Sequence, residues 1–535
     1  DPLQASAGWG GGYYTGLTYG CYCFPELAPN WLDFALLSQR QRPPRSGGEG
    51  SRFRYLELGS GMGLGLCLLA AAYPEGSFIG IDFHPSHIAH SQWLAAELGL
   101  ANVSFHEADF LELAPAGAPL PFEIGAGFHY AVAHGILSWI GPAVRAALMQ
   151  LAGRLLRPGG ALYCSYNTYP GWLDRSAFKA LADLERQRLG SANLPLALQR
   201  AGSSLERLLQ SASPLADSFP RLSGHVQKLK GIRDIHYLCG EFPEHWQPFY
   251  VGQVHQLAAA HKLSYAASAS LPDNFPALLP APLAEQLAAE ADPTIRQALL
   301  DLAINQSFRR DLFVKGPLPL SRSAQEQQLA PLLLRATAAA GGATPGGAID
   351  QPLRIDTNLG VMGDDAGRLR QLEALLSERP ASLAELHQAL AIPPEELVLL
   401  TSLLLHGGRV GLDRGAAGGA AQASCRAVNA RLIALMQGGH NLGYVAAPAI
   451  GHGAQPFSLI DGFVLDGLLQ GLEGEVLSGC VLLGLQATGV ELRDRQGALL
   501  SEPAACLELL DSQIAEFRDT TLPRLVQLGI VDLPG

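Results

Sequence analysis

The chain has 535 residues, 48% hydrophobic and 16% charged, with a formal charge of −12. That length exceeds one core and calls for about two to four domains, while the negative balance disfavours non-specific nucleic-acid binding. No uninterrupted apolar run reaches the ~18 residues of a membrane span, and the eight cysteines, none in a CxxC spacing, argue against a zinc ribbon and for a reducing compartment.

The opening stretch DPLQASAGWGGGYYTG has neither the basic nor the apolar region of a signal peptide, so a cytoplasmic protein is expected. GGYYTGLTYGCYCFPELAPNW, residues 11–31, is rich in tyrosine. It reads either as a lid over a site, closed by Tyr13, Tyr14 or Tyr19, or as an aromatic strap on the core. Cys21 and Cys23 have no His or Cys neighbours to complete a metal site, and no metal is expected. From 53 to 167, apolar strand-like runs at about 54–58, 78–82, 103–106, 128–133 and 161–166 alternate with helical periods. This is the pattern of a parallel sheet covered by helices on both faces. LLRPGG, 155–160, marks a helix stop before the last of these strands. A helical insertion is expected from about 172 to 235, carrying ten Lys or Arg against four acids between 175 and 233. Strand-like runs return at 263–268 and 310–316 and are expected to complete the sheet.

A Gly/Ala-rich stretch at 336–352 reads as a linker. Beyond it, 369–413 has the spacing of helix, turn, helix and strand, with Ser382 and Pro393–Pro394 as helix-start signals. That is a winged-helix-like pattern, but its acids outnumber its arginines (Arg370, Arg379, Arg409), so it is expected to contact protein rather than nucleic acid. A second Gly/Ala tract at 414–424 precedes a mainly helical C-terminal segment. The expected domains are thus 1–320, 321–420 and 421–535.

The stretch YLELGSGMGLGLCLLAAAYPEGSFIGID, 55–82, reads as a strand, a glycine turn, a helix and a second strand. The glycines at 59, 61, 63 and 65 fail the dinucleotide spacing G-x-G-x-x-G, because Leu64, Leu66 or Leu68 takes the third position in every frame. Glu57, two residues before the first glycine, would repel a pyrophosphate. A carboxylate there favours the sulfonium and ammonium of S-adenosylmethionine, whose own carboxylate can take N–H groups of the turn at Gly59 and Gly61. Asp82, ending the second strand, is placed to accept both ribose hydroxyls, and Phe83 to pack on adenine. After the third strand, Asp109 can accept from the adenine amino group while the Phe110 N–H donates to the ring. Three acids ending three successive strands point to S-adenosyl-L-methionine as the cofactor.

LELGSGMGLG, GIDFHP and HEADF resemble the first motifs of class I S-adenosylmethionine-dependent methyltransferases. AHGILSWI, YNTYPGW, HWQPFY and NQSFRRDLFVKG resemble a narrower bacterial group, in which a methyltransferase regulatory region follows that domain. The group includes protein-lysine methyltransferases. The resemblance covers roughly residues 12 to 320, and it departs from the family at His129, where such enzymes usually carry an Asp. It implies a Rossmann-like seven-stranded α/β sheet with a helical insertion, followed by smaller winged-helix-like α+β domains.

The loops after the fourth and fifth strands are the substrate-facing ones in such a sheet, so His134, Trp139, Tyr166 and Asn167 are candidates for the acceptor pocket, with His134, Tyr166 and Asn167 taken as catalytic. Against this, Trp139 and Trp172 can be packing anchors, and His134 can simply bind a loop carbonyl. The Asn/Asp-Pro-Pro-aromatic signature of amide and adenine N-methyltransferases is absent after strand four. The expected activity is methyl transfer to a protein side chain, a lysine amine above all. The alternatives are a regulatory protein that binds the cofactor without catalysis and a small-molecule methyltransferase. The expected partner is a protein substrate, with a homodimer as the other use of the basic insertion, and neither nucleic acid nor membrane insertion.

Overall fold

The computed structural model of the chain describes residues 10–532 apart from 12, 17–18, 46–51, 191–192, 212, 233–234, 338–352, 364–366, 416–417 and 495. Residues 1–9 and most of the 336–352 linker tract therefore lie outside the described residues.

Helix α1 (Pro29–Ser38) precedes a seven-stranded sheet of β1 (Phe53–Leu58), β2 (Gly76–Asp82), β3 (Val103–Glu107), β4 (Phe128–Ala133), β5 (Leu156–Asn167), β6 (Leu263–Ser268) and β7 (Phe308–Lys315). Their spatial order is β3-β2-β1-β4-β5-β7-β6. The first five are mutually parallel, and β7 runs antiparallel between β5 and β6. The sheet is thus the Rossmann-like seven-stranded α/β sheet expected from the sequence. β5 begins five residues before the expected 161, because Leu156 pairs with Phe128 and the register then shifts so that Ala161 meets Tyr130.

Alternation along the strands divides the interior into two cores. Tyr55, Phe78, Tyr130 and Tyr163 face one side, and Leu56, Ile79, Ala131, Leu162 and Tyr166 face the other. The first core is covered by α1, α2 (Leu64–Ala72) and α3 (Pro85–Leu98); the second by α4 (Phe110–Leu113) and α5 (Pro142–Leu155). α2 is apolar around its whole circumference, with eight of its nine residues buried. A helix of that kind needs cover on both sides.

The expected insertion is helical: α6 (Ser176–Leu189), α7 (Leu194–Gln210), α8 (Pro214–Ser218), α9 (Leu222–Gly231) and α10 (Ile235–Glu241) enclose a third apolar cluster around Phe178, Leu198, Leu205 and Phe242. Several of its basic side chains are neutralised by acids, as in Lys179–Asp183, Arg186–Glu244 and Arg188–Glu185. α11 (Val251–Ala259), α12 (Ala281–Ala289) and α13 (Pro293–Ile304) then frame β6 and β7.

After α14 (Arg322–Leu329), β8 (Leu333–Ala336) is the central strand of a small antiparallel sheet. Its neighbours follow a hairpin of β9 (Ile355–Thr357) and β10 (Gly360–Met362) and the helix α15 (Arg368–Glu378); they are β11 (Ala381–Ser382) and β12 (Val410–Asp413). Between them α16 (Leu383–Leu390) and α17 (Pro394–His406) meet at 114°. Ser382 caps α16 in a reciprocal box with Glu385, and Pro394 opens α17.

The second Gly/Ala tract is helical from Gly418, where α18 (Gly418–Gln437) begins. An antiparallel pair of short strands, Tyr444–Ala446 and Ala454–Pro456, follows it. Four further α-helices, at Leu459–Leu469, Gly474–Ala487, Pro503–Glu516 and Leu522–Gln527, the last two joined by a π-helical turn at Phe517–Thr521, complete the described chain. α18 lies on the outer side of α2 and α3, and Arg431 donates to the Glu97 carbonyl at 3.1 Å. Arg414 stacks over the Tyr73 ring at 4.0 Å and pairs with Glu75 at 2.7 Å. No single described helix is long and apolar enough to cross a membrane.

Candidate active site

Strand order reverses between β1 and β4, which opens a crevice at the carboxyl ends of these strands. The turn after β1 holds Gly59 at φ 82° and Gly61 at φ 53°, a left-handed backbone that other residues adopt at a cost. A Cβ on Gly59 would lie 2.3 Å from the Ile136 side chain, whereas one on Gly61 would meet nothing within 4 Å. The Gly61 side of the turn is therefore open space. Asp82 shapes the same turn: one oxygen accepts from the Gly61 N–H and the other from the His84 N–H, each at 2.9 Å.

A cavity of about 540 Å3 lies over this turn, walled by Glu57, Gly59, Gly61 and Asp82 below and by Tyr13, Tyr19, Tyr22 and Phe24 above. A second, of about 120 Å3, adjoins it across Tyr13, Gly59, Asp82, His87 and Ile136 and runs on to Phe83, Asp109 and Phe110. Asp109 caps α4 through the Leu111 N–H at 2.8 Å. All seven residues expected to hold a cofactor line this pair of cavities: Glu57, Gly59, Gly61, Asp82, Phe83, Asp109 and Phe110.

No Lys or Arg is among the residues lining the larger cavity. Burial, with the nearby Asp82 charge, pushes the Glu57 carboxyl up to about 8, so the site resists a second negative charge and welcomes a positive one. Ser60 Oγ and His87 Nε2 are buried here with no hydrogen-bond partner among the described residues. An elongated crevice with an uncompensated carboxyl, unsatisfied polar atoms and an open glycine turn fits a ligand that is cationic at one end and heterocyclic at the other.

Comparison with known proteins decides which. Residues 49–202 match the model of a methyltransferase domain, and residues 234–315 that of a predicted methyltransferase regulatory domain. The chain carries a class I S-adenosylmethionine-dependent methyltransferase domain. Its cofactor is S-adenosyl-L-methionine. An uncharacterised protein of Synechocystis sp. is 34% identical over 58% of this chain and 60% of its own length. One from Rickettsia prowazekii is 26% identical over 52% of this chain and 48% of its own. The chain thus spans about half to three-fifths of the curated relatives it matches. PKMT2 from Rickettsia typhi, solved in complex with AdoHcy, superposes with a TM-score of 0.62 at 18% identity, covering 96% of this chain and 99% of that one. At that identity the likeness establishes the fold.

Around the two cavities, the expected acceptor residues separate. His134, Trp139 and Asn167 line the larger cavity. The His134 Nδ1 lies 2.9 Å from the Tyr163 hydroxyl, and its ring lies 4.1 Å from that of Phe24, tilted by 33°. Burial and the charge of Arg310 pull its titration down to about 3, so the imidazole is neutral. Tyr166 does not reach the cavity. It points to the opposite face of β5, fully buried, and donates its hydroxyl proton to Asp311. That carboxylate is also held by Arg309, which in turn pairs with Asp301. The reason is the period of two along a strand, which cannot bring adjacent residues to the same face.

Trp172 is a packing anchor, 4.8 Å from Trp246 and donating to the Ser307 carbonyl at 2.9 Å. His129 sits in the lower half of β4, accepts from the Arg54 N–H at 3.1 Å and contacts Arg157, away from both cavities. Of the tyrosines named as lid candidates, Tyr13 and Tyr19 line the cavity, while Tyr14 is buried among the insertion helices. Sequence reasoning missed Tyr55, Phe308, Tyr237 and Glu241, all of which line the larger cavity. Tyr55 had a signal, since it lies two residues before Glu57 on the same strand face. Tyr237 and Glu241 had only their four-residue spacing.

Proposed function

We propose that this methyltransferase transfers the methyl group of S-adenosylmethionine to the ε-amine of a lysine in a protein substrate. In this reading Glu57 holds the cofactor's ammonium, and the N–H groups of the Gly59–Gly61 turn take its carboxylate. Asp82, whose one oxygen keeps a lone pair beyond the Gly61 N–H it accepts while the other is shared by the His84 N–H and the His87 imidazole, takes the ribose hydroxyls. Phe83, Asp109 and the Phe110 N–H frame the adenine. When bound, the cofactor supplies an electrophilic methyl on a sulfonium. The chain's own residues align the acceptor and exclude water.

The observation that carries the reading is the wall of the larger cavity away from the glycine turn. Tyr13, Tyr19, Tyr22, Phe24, Trp139 and Tyr237 surround it, with the Glu241 carboxyl and no Lys or Arg. Aromatic faces and carboxylates attract a cationic side chain, and an aromatic wall suits the long unbranched stem of lysine. His134 and Asn167 face the same space, and we assign them to orienting the acceptor. The resemblance of YNTYPGW and NQSFRRDLFVKG to bacterial protein-lysine methyltransferases points the same way.

Incubation with heat-denatured bacterial extract and methyl-labelled S-adenosylmethionine should place label on protein lysines. Acetylation of the extract, which turns those amines into non-nucleophilic amides, should abolish it. Label that survives the blocking would refute the lysine assignment.

A further inference from the structure

The acceptor side of the cavity is not built by the methyltransferase domain alone. Glu241 and Tyr237 belong to α10, inside the 234–315 region matched by the regulatory-domain model, yet both line the larger cavity. Four residues apart, they share one face of that helix. The chain that follows is tied to the sheet ends. Arg145 donates to the His245 carbonyl at 2.7 Å and to Gln247 Oε1 at 3.0 Å. The Gln247 N–H reaches the Ser138 carbonyl at 2.8 Å, and the Phe249 N–H the Asn167 carbonyl at 3.0 Å. Segment 245–249 is therefore fastened to the loops that follow β4 and β5, which holds Glu241 at a set place above the cavity.

We propose that Glu241 is the carboxylate that receives the acceptor ammonium and takes its proton, so that the regulatory region supplies part of the catalytic site. This rests on the lysine reading above. No basic side chain among the described residues pairs with Glu241. The titratable groups that bear on it are Tyr13 and Tyr19 from the N-terminal segment and Tyr237 from its own helix. Glu57 and Asp82 lie across the same cavity at the strand ends, with the imidazoles of His87 and His134 beside them. Burial raises the affinity of Glu241 for a proton, while the same desolvation lowers that of an entering ammonium. The two approach one another, and an ion pair deprived of water relaxes to a neutral amine and a carboxylic acid. One N–H bond breaks and its proton moves to a Glu241 oxygen. The freed lone pair forms the N–C bond, the C–S pair stays on sulfur, and the products are a methylammonium and a neutral thioether.

The test compares the full chain with Glu241→Gln, which keeps size and hydrogen bonding and removes the base, using the denatured-extract assay. At about pH 7.5 the variant should label lysine about tenfold or more slowly, a loss of at least ~1.4 kcal/mol. The deficit should shrink as pH climbs toward the amine's own value of about 10.4, where solvent deprotonates the acceptor. S-adenosylhomocysteine affinity and thermal midpoint should stay at the parent's values. Equal rates at the lower pH, or a deficit of constant size across the range, would overturn the role of Glu241 and leave the lysine reading standing. Label that survives lysine blocking in the parent would instead remove that reading, and this role with it.

Discussion

In the proposed reading, Glu57 is the residue on which the cofactor's charge bears most directly. Its carboxyl, pushed up to about 8 by burial and by Asp82, is mostly protonated near neutral pH when no cation is present. Pairing with an ammonium favours the ionised form, so binding must release a proton, and affinity must increase as pH rises through about 8. Titration calorimetry of S-adenosylhomocysteine in buffers of different ionisation enthalpy should show close to one proton released at about pH 7. Glu57→Gln should abolish that buffer dependence and weaken binding by about 1.5–3 kcal/mol. A parent enthalpy that does not change with buffer would refute the charge coupling. Glu57, Asp82 and Asp109 were legible in the sequence because a strand's carboxyl end is itself legible, and an acid there has little choice but the crevice. Glu241 was not, because nothing local to a helix 180 residues downstream says which cavity it meets.

At the scale of elements, β5 shows how much a single residue step matters. Asn167 lines the cavity, whereas Tyr166 joins β5 to β7 and α13 through Asp311, Arg309 and Asp301. Arg309 also reaches Gln297 on α13 at 2.8 Å. Tyr166→Phe strands a buried carboxylate without one donor and should cost about 1.5–3 kcal/mol of stability, read as a lower thermal midpoint with single-turnover methylation unchanged in the folded protein. Asn167→Ala should do the reverse, slowing methylation about tenfold, or ~1.4 kcal/mol, at near-parental midpoint and cofactor affinity. A Tyr166→Phe enzyme that melts normally but turns over slowly would contradict this division. Sequence pattern placed both at the end of the strand, yet both faces of YCSYN are buried and each carries a tyrosine beside small or polar residues. Periodicity then cannot say which face is the site.

For the whole molecule, the apolar helix α2 is the joint. Cys67, Leu68 and Ala72 belong to one continuous core with Val428 and Leu432 of α18 and with Leu372, Leu386 and Leu404 of the small α+β region. Such a core should melt as a unit. All six tryptophans lie at or before residue 246, and Trp93 stacks on His440 at 4.9 Å. In a Trp93→Phe chain the fluorescence of Trp31, Trp139, Trp172 and Trp246 therefore reports α1, the sheet and the insertion, while far-ultraviolet circular dichroism reports every helix. The two melting curves should coincide. A second transition seen only by circular dichroism would mean that the C-terminal helices unfold on their own.

The sequence by itself determined the sheet, its glycine turn and the chemistry of the cofactor, because strand runs, left-handed glycines and strand-end acids act within a few residues of one another. It also held, in the uninterrupted apolar surface of α2, the demand that something cover that helix. Only the tertiary structure decided what the cover is, that Tyr166 turns away from the site, and that Tyr237 and Glu241 turn into it. Those outcomes depend on contacts between segments far apart in the chain, whose energies come from shape and burial in the folded state and leave no period or spacing to read beforehand.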